Sequence, residues 1–62
     1  MPISTDPQDT RERILDATQR LFAEKGQART SLRQITAAAE VNLAAVHYHF
    51  GSKQGLVEAV YD

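Results

Sequence analysis

Two histidines, a tyrosine and a lysine lie close together at His47, Tyr48, His49 and Lys53, inside the stretch VNLAAVHYHFGSK at 41–53. Imidazole can bind a metal, move a proton or make hydrogen bonds, and a phenol or an ammonium can hold an anion. Metal binding fails on geometry. Helical ligand pairs sit three or four residues apart, whereas residues two apart diverge by roughly 200° around the axis. The chain has no cysteine, which removes thiolate ligation, thiol catalysis and disulfides. Its serines are Ser4, Ser31 and Ser52, of which the last two stand at capping positions, and it has neither a carboxylate pair nor a glycine-rich phosphate loop. No catalytic residue, metal or cofactor is therefore expected, and the chain does not read as an enzyme. What remains is hydrogen bonding to an anion or a polar surface, or an ordinary solvated helix face.

The elements that would position these residues are helical. Asp6-Pro7 is a good helix start, with Thr10 as a second candidate cap. Ile14, Thr18, Leu21 and Phe22 then recur at helical spacing with Leu15 at the edge, and Lys25-Gly26 closes the helix. Ser31-Leu32-Arg33-Gln34 fits a capping box for a second, short helix that puts Leu32, Ile35 and Ala39 on one face. Asn42 is a strong cap for a third helix, whose inward stripe is Val46 and Phe50 with Leu43 close to it, while Ala44, Ala45 and Tyr48 lie roughly opposite. Gly51 ends that helix. Ser52 caps a fourth, with Leu56, Val57, Ala59 and Val60 on its apolar side, and the pattern is still running at Asp62, as expected of a fragment. The fold class expected is all-α: a three-helix bundle plus the start of a fourth helix.

Sixty-two residues make one small domain, and a chain of that size buries only about 60% of the surface it exposes when unfolded. Its core must be small. Neither a membrane-spanning run nor a signal peptide is evident, so a soluble, cytoplasmic protein is expected. The net charge of −1 divides unevenly along the chain: residues 1–26 carry −1, residues 27–53 carry +2 and residues 54–62 carry −2. Positive charge gathers around the opening stretch. The first ten residues contain no lysine or arginine, and residues 1–9 are expected to be a flexible tail, with residues 10–62 as the domain.

Two short helices joined by a turn of about four residues have the geometry of a helix-turn-helix, whose second helix enters the DNA major groove. Ala44 and Ala45 would let the backbone approach the duplex, Tyr48 offers a hydroxyl to phosphate, and the histidines can donate to phosphate or base acceptors. Ser31 and Arg33 at the start of the second helix could hold a phosphate, and Asn42 heads the third helix among the candidate contacts. Lys53, in the first turn of the fourth helix, opposes the helix dipole and makes sense if an anion comes to it.

The stretches RERILDATQRLFAEKG, TSLRQITAAAEVN and LAAVHYHFGSKQGLVEAV resemble the N-terminal DNA-binding domain of the TetR family of bacterial transcription regulators, over about residues 11–60. The resemblance implies that Leu43, Ala44, Ala45 and His47 face the major groove and that Tyr48 and His49 lie at or beside the DNA backbone. It also implies that Lys53 meets a phosphate, that Arg33 meets a base or phosphate, and that Val46 and Phe50 are core. It further implies a ligand-responsive repressor that binds a palindromic double-stranded operator. Such a regulator is a homodimer through a larger C-terminal domain, not among these residues, that takes a small-molecule effector. The family usually has glycine in the turn where this chain has Glu40, and a hydrogen-bonding residue in the region of Ala44 and Ala45. The other class of function considered is a helical protein-interaction or dimerisation module that uses the apolar face of the fourth helix, through Leu56, Val57 and Val60.

Overall fold

The computed structural model describes residues 7–61. Its elements are α1 (Pro7–Lys25), a 3-10 turn (Gln27–Arg29), α2 (Leu32–Ala39), α3 (Leu43–Phe50) and α4 (Lys53–Tyr61), with no strand among the described residues. Of the two starts open to α1 the chain takes the earlier, so Pro7, Gln8 and Asp9 are helical although the expected tail included them. The Asp6 cap and the rest of that tail lie outside the described residues.

All four helices converge on one core: Ile14, Ala17 and Phe22 from α1, Ile35 and Ala39 from α2, Val46 from α3, and Leu56 and Val57 from α4. A hydroxyl in this core must be satisfied locally. Thr18 solves this by donating to the Ile14 carbonyl at 2.7 Å, one turn back. Leu15, Leu21, Leu32, Phe50 and Val60 cover the core as half-buried neighbours. Leu43 departs from the expected stripe: it is 45% exposed, because it stands at the first turn of α3, ahead of the buried Val46.

The short helices depend on their ends, since an eight-residue helix is marginal by itself. The Ser31 hydroxyl accepts from the Gln34 N–H at 3.2 Å while the Ser31 N–H donates to Gln34 Oε1 at 3.0 Å, which completes the expected capping box. Asn42 Oδ1 accepts from the Ala45 N–H at 3.1 Å, and Ser52 Oγ accepts from the Gly55 N–H at 3.1 Å. Between α2 and α3 the chain turns through Glu40, which holds the left-handed conformation at φ 59°, ψ 46°. A side chain is thus held in a conformation disfavoured outside glycine. The corner from α3 to α4 is tight at Gly55, where a methyl group would overlap the Phe50 carbonyl.

Candidate nucleic-acid interface

Helix α3 has two unlike sides. Val46 is fully buried against the core, and Tyr48, two residues on, is 79% exposed. Asn42, Ala44 and His47 share the exposed side with Tyr48 and Leu43. Ala45 does not belong to it: it is half-buried and packs against the core cluster, because it precedes Val46 on the inward edge. Small residues there bring the helix backbone near its own core rather than near an outside surface.

Tyr48 and His49 meet edge to face, with ring centroids 4.9 Å apart, and His49 in turn lies 6.1 Å from the Phe50 ring. The guanidinium of Arg11 sits 5.4 Å from the Phe50 centroid, a cation–π contact. Arg11 therefore joins Tyr48 and His49 along one open groove between the start of α1 and the end of α3. From the sequence Arg11 and Arg13 are the earliest plausible phosphate contacts, but the ring that Arg11 meets is far away in the chain and no local spacing points to it. His47 makes a different contact, with Nδ1 3.1 Å from the Gly51 carbonyl oxygen.

At the start of α2, Ser31 and Arg33 are both exposed. Lys53 is half-buried rather than waiting in solvent, and its Nζ donates to the Gln27 carbonyl at 3.2 Å. This bond draws the first turn of α4 to the segment that leads into α2, so two basic positions from separate helices border the same region of chain. Thr30, which sequence reasoning passed over, anchors that segment: it is 1% exposed and its hydroxyl donates to the Gly26 carbonyl at 2.9 Å. Among the described residues no group of histidine and carboxylate side chains could hold a metal ion, and no helix is long and apolar enough to cross a membrane.

On the apolar face of α4, Leu56 and Val57 are buried in the core, and Val60 packs against it half-buried. Tyr61 is exposed at 66%, stacked 6.3 Å from Phe22.

Comparison with known proteins is consistent with this geometry. Residues 14–60 match the family model described as "Bacterial regulatory proteins, tetR family". The chain is 40% identical over 57 residues to the HTH-type transcriptional regulator TtgR of Pseudomonas putida, an alignment covering 92% of this chain and 27% of TtgR. It is 53% identical over 49 residues to the HTH-type transcriptional repressor Rv3405c of Mycobacterium tuberculosis, covering 79% of this chain and 26% of that protein. It is 39% identical over 57 residues to the HTH-type transcriptional regulator AcrR of Shigella flexneri, covering 92% of this chain and 26% of AcrR. The chain thus spans about a quarter of the length of these curated relatives.

Proposed function

The chain belongs to the TetR family of bacterial regulatory proteins, and from that premise we propose that it is the operator-reading head of a ligand-responsive repressor, with α3 in the major groove of duplex DNA. The observation that carries this reading is the division of α3 between a fully buried Val46 and an outward Tyr48, Leu43, Ala44 and His47. A helix held by a buried residue on one side, Val46, and by two capped ends can present its other side rigidly. Ser31, Arg33, Asn42, Tyr48, His49 and Lys53 supply donors to phosphate around it, and Leu43, Ala44 and His47 meet base edges. Ala45 contributes by letting α3 sit close to its own core, and its contact with DNA is limited to its exposed edge.

Repression is the mode named for one relative, and we assign it here together with a cytoplasmic location. A homodimer and a small-molecule effector site, both formed by chain beyond these residues, complete the regulator. Dimerisation places two copies of α3 about one helical turn apart on a palindromic operator.

The test is an amide chemical-shift titration of the chain with a short mixed-sequence duplex at two salt concentrations. Shifts confined to residues 31–33, 42–49 and 53, weakening as salt rises, are expected. Shifts gathered on Tyr61 and Phe22, or a salt-independent response, would sink the reading.

A further inference from the structure

Gly51 is tied to His47 twice. Its N–H donates to the His47 carbonyl at 3.0 Å, capping α3, and its own carbonyl oxygen lies 3.1 Å from His47 Nδ1. A carbonyl only accepts, so the proton in that second bond must be on Nδ1. In a neutral imidazole one nitrogen is the donor and the other the acceptor, which leaves Nε2 with a lone pair. His47 is exposed, and Gly51 is the hydrogen-bond partner of its ring among the described residues.

We infer that His47 meets DNA as a hydrogen-bond acceptor through Nε2, and that it selects an exocyclic amine, adenine N6 or cytosine N4, at an edge of the major groove. The inference rests on the proposed placement of α3 and deepens it by assigning this residue's specificity. The major groove shows acceptors at guanine N7 and O6, adenine N7 and thymine O4, and amine donors only at adenine N6 and cytosine N4. A histidine protonated at Nε2 pairs with the acceptors and with phosphate. In the neutral ring the Gly51 carbonyl reverses this preference: the Nε2 lone pair is repelled by every acceptor and by phosphate, and only the amines remain. Tyr48 and Lys53 donate, whereas His47 accepts, so α3 and its flank separate backbone positioning from base reading by the direction of their hydrogen bonds.

Two measurements test this. Nitrogen-15 correlation spectra of the labelled 62-residue chain, taken at about pH 8, above the ordinary imidazole range, should show His47 protonated at Nδ1 and bare at Nε2. A majority of the Nε2–H form in the free chain, or a doubly protonated ring in the complex, overturns the inference. Sequences enriched by the chain from a random duplex pool are then rebuilt with purine for adenine or 2-pyrimidinone for cytosine, which deletes one amine at a time. One such deletion should weaken the wild-type chain by about three- to tenfold, the worth of one hydrogen bond, and leave the His47→Ala variant unmoved. If instead 7-deazaguanine is the substitution that separates the two proteins, or no deletion does, His47 does not read an amine. Enrichment of sequence without a His47-dependent amine removes this inference alone. No enrichment, with amide shifts unchanged by DNA, removes the DNA-reading function and the inference together.

Discussion

The ammonium of Lys53 donates to the Gln27 carbonyl at 3.2 Å, across 26 residues of chain. A cation in the first turn of a helix opposes the helix dipole, and this bond gives it a compensating partner while fastening α4 to the 3-10 turn before α2. When the head meets DNA, the same ammonium lies at the edge of the proposed interface and has donors to spare for phosphate.

Lys53→Gln separates these two roles, since an amide can still donate to the Gln27 carbonyl but carries no charge. Its stability should stay within about 0.5 kcal/mol of wild type, while the slope of log affinity against log salt falls by about 1 for each bound chain. Thermal unfolding and binding at several salt concentrations measure both. A wild-type salt slope in this variant removes Lys53 from the phosphate contacts.

Glu40 turns the chain from α2 to α3 at φ 59°, where a side chain costs roughly 1 kcal/mol relative to glycine. Its ion pair to Arg13, at 4.0 Å, is long, and the Glu40 side chain is 82% exposed, so the pair offsets little of that strain. Glu40→Gly should therefore raise the melting temperature by roughly 4–8 °C, the response of a small domain to about 1 kcal/mol. Arg13→Ala should change it by much less. A destabilised Glu40→Gly would mean that the Arg13 contact outweighs the backbone strain.

Thr30 holds the segment between α1 and α2 through its hydroxyl, which donates to the Gly26 carbonyl at 2.9 Å in a nearly solvent-free site. Thr30→Val keeps the shape and deletes the donor, while the Gly26 carbonyl still accepts from the Arg29 N–H at 3.3 Å, so the variant should cost about 0.5–1.5 kcal/mol in denaturant unfolding, the net worth of one hydrogen bond. Thr30→Ser restores the hydroxyl and should recover most of the hydrogen-bond part of that loss. Equal loss in both variants would assign the effect to the methyl group's packing.

Local rules carried the sequence a long way. The capping side chains of Ser31, Asn42 and Ser52 act within three residues, so spacing alone identified them, and the buried stripe of Ile14, Thr18 and Phe22 follows from helical period. Contacts between distant segments were illegible for the same reason. Lys53 with Gln27, Arg11 with Phe50, and the inward tilt that half-buries Ala45 all depend on how the helices cross, and single-helix periodicity contains no crossing angle. The consumption of Leu56 and Val57 by the core belongs to this class too: an apolar face on a helix announces that something covers it, not what does. At His47 the sequence offered two ring nitrogens, and only the folded corner brings one of them, Nδ1, to 3.1 Å from the Gly51 carbonyl oxygen.

Val46 and Tyr48 put the two sides of α3 to a single test, because they differ by two positions and by opposite environments, 0% against 79% exposed. Val46→Ala removes buried methyl groups and should cost about 1.5–3 kcal/mol; in a domain this small that is a large fraction of its stability. Its affinity for DNA, measured well below the melting transition, should fall less than its stability suggests, since the outward side chains are intact. Tyr48→Phe deletes one exposed hydroxyl and should leave the melting temperature unchanged, yet weaken binding by about three- to tenfold through one lost phosphate contact. The loss should be uniform across operator sequences, because a phosphate contact carries no base information. A Tyr48→Phe variant that binds one sequence normally and another poorly would move Tyr48 from the backbone to a base, and α3 would then lie in the groove rotated toward that residue.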